Sequence, residues 1–490
     1  MRKQKTHSKI QRSGPRFVAL LTIAVCLTPV LADDYHQING FIGERAAGLA
    51  GAYTAISDDP SGAYYNPAGI AFAYDNFISI SASTYRETKK EYSNIFGPGQ
   101  SYDRISRTYI PNFFGGIKNM GGYTFGFSIV SPAVDNYDQS DQIVKPLALN
   151  GINSYRNDYT ENRTTVMVGP SIAKALGERF SLGASLYYFY DAFRTTSTQL
   201  VEREDKTYTQ NSIQDRRRTM ALLPVLGMQY MPIDALSLGL SLRRHFVTSE
   251  QRHKSGVFNS TATSTRSLTL LESTEQNSAA GSQTSAISGP GESGRIPENY
   301  ELRIGSAYFL SRYSLLSLDL IHSTAYSARQ DNTRYDALTG DIYFYGPEVQ
   351  VLARRATMNY AIGVEHYLTE NLAIRLGTFS NYANSKNIDW SERAIVLALR
   401  SEGKHLLSTG LVNNSKIYYT LAALDTQERF EYVDLYGYSL GLSWGDARSS
   451  ITLTLVSENG AGGAQIDQSL LPQRLVYRSF AIYIVASTQT

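Results

Sequence analysis

The chain has 490 residues, with 46 Lys+Arg against 44 Asp+Glu and a single cysteine. Six of the basic residues crowd the first sixteen positions, so the remainder is mildly acidic, 40 against 44, and nucleic acid is excluded as an expected partner. Mean hydropathy is −0.26, and beyond the N-terminal segment no stretch approaches the roughly 20 apolar residues of a spanning helix, which excludes a helical membrane protein.

The N-terminus opens with Arg2, Lys3, Lys5, Lys9, Arg12 and Arg16, continues with an apolar run from Phe17 to about Leu31, and ends in Val30-Leu31-Ala32. Basic, then apolar, then small is the order of a secretory signal, and cleavage is expected after Ala32. An uncleaved anchor is the alternative. The apolar run is short for that, and Pro29 interrupts its end. Cys26 lies inside this signal, and Val25 before it is a poor match to a lipoprotein acylation site. A mature chain without cysteine has no disulfide, no thiolate chemistry and no cysteine metal site.

Residues 33–75 form the next unit. Glu44 to Ala71 is rich in Gly and Ala, with turn and helix-start chemistry at Ser57-Asp58-Asp59-Pro60-Ser61 and a second turn at Asn66-Pro67. The stretch is too long for a turn and too polar for a lipid-facing strand. A plug packed inside a lumen and a periplasmic tail or small subdomain are both compatible with it.

From residue 76 to 490 one pattern repeats. Leu236, Leu238, Leu240 and Leu242 alternate with Ser237, Gly239, Ser241 and Arg243; Leu182, Ala184, Leu186, Tyr188 and Tyr190 alternate with Gly183, Ser185, Tyr187 and Phe189; Tyr436 to Trp444 does the same. Period two predicts strands near 76–87, 106–118, 122–131, 164–175, 180–195, 218–230, 236–250, 300–309, 314–327, 357–367, 372–385, 431–444, 449–457 and 478–486. Short turns, such as Asn119–Gly121 and Leu176–Arg179, alternate with long polar segments near 88–105, 132–163, 196–217, 251–299, 328–356, 386–430 and 458–477. An even set of about 14 strands with that connectivity predicts an all-β fold, a transmembrane antiparallel β-barrel with both ends on the periplasmic side. A soluble sandwich has no reason to alternate its loop lengths so regularly. The segment 251–299 is low in complexity and is expected to be a mobile surface loop. The last strand places its aromatics at Phe480 and Tyr483, and the chain ends without a terminal aromatic.

The segment from Ala52 to Gly69, with AlaTyrThrAla, Asp58-Asp59-Pro60 and Asn66-Pro67-Ala68-Gly69, resembles the N-terminal hatch of the FadL-type outer-membrane transporters of long-chain fatty acids and hydrocarbons. LeuGlyGluArgPheSerLeuGly (176–183), TyrMetProIleAspAlaLeuSerLeuGly (230–239) and Gly363–Gly377 echo that family more weakly. The resemblance implies a 14-stranded barrel plugged by residues 33–75. It also implies a hydrophobic ligand taken by the outer loops into a lumenal pocket and released sideways through a gap beside a kinked early strand. Gly126 and Pro132, in the third strand, are the candidates for that kink, and barrel curvature explains such glycines equally well.

The registers turn Arg243, Arg303, Arg375, Glu301 and Glu365 toward the lumen. Arg243, Arg303 and Arg375 are candidate contacts for a ligand carboxylate; an internal ion-pair network is the other reading. The mature histidines, His36, His245, His253, His322, His366 and His405, show no metal-ligand spacing and no GlyXaaSerXaaGly nucleophile accompanies them, so neither cofactor, metal nor enzyme activity is expected. The expected partners are outer-membrane lipid, lipopolysaccharide, the barrel-assembly machinery and a hydrophobic small molecule, for a monomer in the outer membrane. A docking or structural barrel for secretion or surface attachment is the alternative, whereas a plug argues against a general diffusion pore.

Overall fold

The computed structural model describes residues 36–489 except 74–76, 96–97, 133, 146–151, 261–282, 291–295, 330–332, 336–341, 345–350, 385–406, 413–414, 421–430, 446–448 and 465–472. The expected signal, with Cys26 and Ala32, and the centre of the 251–299 segment lie outside the described residues.

Fourteen staves close into an antiparallel barrel. The first is β1 (Phe77–Ser93); the second is β2 (Ser101–Ile110) continued by β3 (Phe113–Met120); the third is β4 (Tyr123–Val130) continued by β5 (Val134–Val144). Then come β6 (Ile152–Ala175), β7 (Phe180–Arg203) and β8 (Tyr208–Ile233), the pair β9 (Leu236–Arg244) and β10 (Phe246–Ser260), and the pair β11 (Gln283–Pro290) and β12 (Tyr300–Ser311). The ninth stave is β13 (Ser314–Ser323) with β14 (Tyr326–Arg329); a loop ribbon of β15 (Thr333–Tyr335) and β16 (Ile342–Phe344) follows. The tenth joins β17 (Val351–Arg354) to β18 (Thr357–Thr369), the eleventh is β19 (Leu372–Asn381), and β20 (Leu407–Val412) with β21 (Ser415–Thr420) forms a second ribbon. Staves twelve to fourteen are β22 (Glu431–Gly445), β23 (Ser449–Ala464) and β24 (Gln473–Gln489). β24 pairs with β1 from Phe77↔Gln489 to Tyr92↔Leu475, which closes the wall and leaves no edge strand.

The period-two pattern is realised as two faces. Leu186 is 49% exposed while Tyr187 beside it is 0%, and Tyr438, Leu440, Leu442 and Trp444 project outward between buried or inward positions. An exterior of Leu, Ile, Tyr and Phe is costly against water and favourable against hydrocarbon, which is the arrangement of a lipid-facing barrel. Among the described residues no helix is long and apolar enough to cross a membrane. Several stretches read from the sequence as long loops are strand instead: β6 begins at Ile152 and the β7–β8 hairpin reaches Arg203 and Tyr208 before turning.

Residues 36–73 lie against the inward faces of the staves. They hold two short helices, α1 (Glu44–Gly48) and α2 (Gly62–Tyr65), and a 3-10 turn at Gly69–Phe72. Ile42, Leu49, Tyr53, Ala68 and Ile70 are fully buried, so the core of the molecule is made between this segment and the wall.

Candidate functional site

The fit between segment and wall begins with small residues. Gly183, Gly227, Gly239, Gly305, Gly363, Gly377 and Gly441 occur on seven staves, three to six residues from their short-turn ends, and all point inward at the segment. A side chain at Gly183 would overlap the Pro67 carbonyl and one at Gly227 would overlap Asn66 Oδ1; a Cβ at Gly305 would stand 2.8 Å from Ala55 N and one at Gly377 2.6 Å from Ala50 Cβ. Ladder pairs Gly183↔Gly227, Gly239↔Gly305 and Gly363↔Gly377 make these positions a nearly continuous belt. Backbone can approach a wall this closely only where the wall carries no side chain.

Polar groups of the wall then satisfy the backbone that the belt admits. Asp319 Oδ2 accepts from Tyr53 N (3.1 Å), Thr54 N (3.0 Å) and Thr54 Oγ1 (2.6 Å). Ser181 donates to Ala68 O, Ser185 to Ala63 O, Ser237 to Ala55 O and Ser439 to Gly48 O. Buried backbone carbonyls need such partners, and here four serines on three staves supply them.

The motif residues of the segment fill defined places in this fit. Asp58 accepts two bonds from Arg45 Nη1, at 2.9 and 2.8 Å, and one from Tyr53 OH. Asp59 Oδ1 accepts from Ser61 N and Ser61 Oγ, and Pro60 packs toward Gly115. Asn66 Nδ2 donates to Thr54 O and to Met228 O, while its Oδ1 accepts from Ala68 N. Pro67 and Ala68 lie on Gly183, and Gly69 has no room for a Cβ against the Ser57 carbonyl.

The three lumenal arginines are engaged in the same fit. Arg243 and Arg303 both reach Glu301 Oε1 at 2.6 Å, lying over the rings of Tyr64 and Tyr65 respectively. Arg375 meets Glu365 at 2.6 Å, and Glu365 also takes Arg45 at 2.7 Å. None of the three lines either of the two cavities described below, and their contacts are those of an ion-pair network.

Open space lies on the long-loop side of the segment. An upper cavity of about 630 Å³, its open mouth included, is lined by Lys90, Tyr137, Glu161, Arg163, Glu431 and Tyr477 among others. Lys90 pairs with Glu431 at 2.6 Å, and Arg163 with Asp191 at 3.1 Å. A lower cavity of about 290 Å³, its open mouth included, is lined by Gly40, Phe41, Phe379, Val456, Ala481 and Tyr483 among others. Phe41 and Phe379 meet edge to face at 4.9 Å. The two cavities share Ile38, Arg86 and Glu458.

The lower cavity abuts a break in the wall. Among the described residues, staves two and three are laddered from Phe113↔Val130 to Met120↔Tyr123, then share only Ser106↔Tyr137. Between those points stand Pro111 and Pro132, neither able to donate a ladder bond. Ser131 N still reaches Asn112 O at 2.8 Å, and above the break Gln139 stitches the staves through Ile105 N and Asp103 O. Asn112 Nδ2 donates to Phe41 O at 2.7 Å, and a Cβ on Gly40 would lie 3.0 Å from Pro132 O, so the cavity lining touches both edges of the break. Gly126 is elsewhere: it pairs with Ile117 and Ser171 in an unbroken ladder, and a Cβ there would stand 3.3 Å from Ile117 Cγ2. Of the two candidates, Pro132 stands beside this interruption of pairing and Gly126 does not, and Pro111 on stave two stands beside it as well.

Among the described residues no group of His, Cys, Asp and Glu is arranged to hold a metal.

With this geometry in place, solved structures give the frame. The chain superposes on the P. putida toluene transporter TodX with a TM-score of 0.56, at 12% identity over 92% of this chain and 99% of that one. This is the FadL-type fold. A Pseudomonas aeruginosa FadL homologue aligns at 0.55 and 12% identity, and the Ralstonia pickettii toluene transporter TbuX at 0.53 and 11%, each covering 92% of this chain and 99% of the other. No protein-family model and no curated protein sequence matches the chain. TodX and TbuX are described as toluene transporters, and what this chain shares with them is the fold.

Proposed function

We propose that this barrel lies in a bacterial outer membrane and passes small hydrophobic molecules by diffusion, from the long-loop side into the lumen and out sideways through the break between staves two and three. The observation that carries the reading is the lower cavity, whose apolar lining ends at Asn112 and Pro132 on the edges of that break. An apolar solute gains on leaving water for such a cavity and again on reaching lipid, so no energy source is needed beyond its gradient. Residues 36–73 act as the hatch that denies water and ions a straight path; the wall's serines and glycines hold it there. Lipid, lipopolysaccharide and the assembly machinery are the partners such a barrel requires, and a closed wall without an edge suits a monomer.

The test is uptake. Cells lacking other hydrocarbon channels and expressing this chain are expected to take up labelled toluene or a long-chain fatty acid faster than vector controls, and a disulfide engineered across the break is expected to abolish the gain reversibly. Equal uptake with and without the protein, for both solutes, would refute the proposal.

A further inference from the structure

The outward face of β7 and β8 changes character along its length. From Tyr230 through Met228, Leu226, Pro224 and Leu222 to Met220, every outward residue of β8 is apolar or aromatic. That run rises about 25 Å along the barrel axis at the usual strand rise and tilt, which is the height of an apolar band. Toward the long loops, Tyr188, Leu222 and Phe246 share one rung and are all exposed, and Tyr190 stands opposite Met220 on the next outward rung. Aromatic side chains at such a rim mark the boundary between hydrocarbon and headgroups.

The next outward positions carry arginines. Arg218 follows Met220 on β8 and stands opposite Ala192; Arg216 follows in turn and stands directly opposite Arg194 of β7. All three are exposed, and period two puts them on the face of Leu222 and Tyr188. Residues opposite each other on one face of a ladder have Cβ atoms about 5 Å apart, and like charges there repel. The described outward positions around them, Asn162, Thr164, Thr196, Gln214 and Gln251, are neutral. Other exterior cations toward the long loops are paired: Lys89 meets Asp103 and Arg107 meets Glu87, each at 2.7 Å, and Arg156 meets Asp158 at 3.1 Å. Among the described residues no carboxylate pairs with Arg194, Arg216 or Arg218.

We propose that Arg194, Arg216 and Arg218 form a binding site for the phosphate-bearing headgroup of an outer-leaflet glycolipid of the lipid A type. A guanidinium takes phosphate oxygens by paired hydrogen bonds, and a phosphate held between Arg194 and Arg216 turns their mutual repulsion into shared attraction. Arg218 lies about 5 Å nearer the apolar band, within reach of the same headgroup. Below it, Met220, Leu222 and Tyr188 meet the acyl chains of that molecule, a contact that a free anion does not make. The inference rests on the outer-membrane placement proposed above and not on the passage of solute.

Titration of the purified mature barrel in detergent, read by native mass spectrometry, tests this with diphosphoryl lipid A and its fully dephosphorylated form as probes. The parent is expected to hold the diphosphoryl form on the order of a hundredfold more tightly, from about fivefold per arginine. Arg194→Gln, Arg216→Gln and Arg218→Gln together are expected to bring the two lipids to within about fivefold of each other. Heat-modifiable migration confirms that the triple variant is a barrel; should it fail to form one, Arg216→Gln alone is expected to lose about fivefold. Inorganic phosphate is expected to displace the lipid no better than chloride at equal ionic strength. Equal affinity of the parent for the two lipids, or an undiminished preference in the Gln variants, would overturn the site. Displacement by phosphate beyond that by chloride would make it a free-anion site and overturn the lipid assignment. Phosphate-dependent lipid binding by a barrel that confers no solute uptake would leave the site standing and sink the transport reading.

Discussion

Replacing Asp319 by Ala isolates the bond that ties the hatch to the wall. Asp319 is fully buried and its Oδ2 satisfies two hatch amides, Tyr53 N and Thr54 N, as well as the Thr54 hydroxyl. Alanine leaves both amides without an acceptor, at about 1–3 kcal/mol for each buried donor, while the hydroxyl can rotate to another partner. Water entering the vacated space recovers part of that, so a net loss of about 3 kcal/mol in hatch docking is expected, equivalent to roughly a hundredfold in the opening equilibrium. Asp319→Asn keeps one oxygen acceptor and is expected to cost only about a third as much, the difference between charged and neutral acceptors. Amide hydrogen exchange in detergent reads this directly. Peptides covering Tyr53 to Ser57 should exchange about a hundredfold faster in the alanine variant, whereas peptides from Tyr436 to Trp444 in the wall should not change. Unchanged exchange at 53–57 would refute the tie, and faster exchange throughout the barrel would show that Asp319 supports the wall instead of the hatch.

Two further outcomes follow from the same packing. Gly227→Val would drive its side chain into Asn66 Oδ1 and within 2.9 Å of Ala68 N, so the hatch should lose its seat while the barrel still assembles; large hydrophilic antibiotics should then enter cells that exclude them with the parent protein, and unaltered susceptibility with normal expression would count against the belt. Burial pushes the Asp59 carboxyl up to about 6 against the opposing hydrogen bonds from Ser61. The docked hatch therefore keeps a proton that the undocked chain has lost, so Asp59 favours docking most below pH 3.8, progressively less up to pH 6, and not further above it. Exchange at residues 57–62, corrected for its intrinsic pH dependence, should slow toward pH 4, and Asp59→Asn should remove that step; a variant with the full step would refute the assignment.

The barrel was legible in the sequence because lipid imposes a rule on it. Wherever a stave meets hydrocarbon its outward residues must be apolar, and Leu182, Leu186 and Tyr188, or Tyr436 to Trp444, advertise period two. Above the lipid the rule lapses. The tops of β6 and β7 carry Asn157, Thr160, Thr196, Ser197 and Gln199, which pair as strand yet read as loop because neither face needs to be greasy. The break in the wall was half legible. Pro132 ends a recognisable strand, whereas Pro111 sits inside an alternation that runs on through it, and only the pairing of staves two and three shows the two prolines facing one gap. The glycine belt had a signal that strand reading did not use: a glycine recurs at an inward position near each of seven short-turn ends. The cavities had none, since residues 36–41, 86–90, 431–435 and 473–483 meet only through closure of the barrel.

The arginines show most clearly how sequence and structure divide the problem. A lumenal Arg reads alike whether it waits for a ligand or pins a hatch, because inward orientation is all that period two reveals. Distance separates the two roles. Arg243, Arg303 and Arg375 sit at 2.6 Å from carboxylates and stack against or abut the hatch, so taking any one of them for a ligand would leave Glu301 or Glu365 with one guanidinium in place of two. Arg86 was not singled out from the sequence, yet it lies at the junction of both cavities. Near the short turns, tight pairs, serines and glycines seat residues 36–73; the open space lies toward the long loops, where Lys90 and Glu431 pair as tightly.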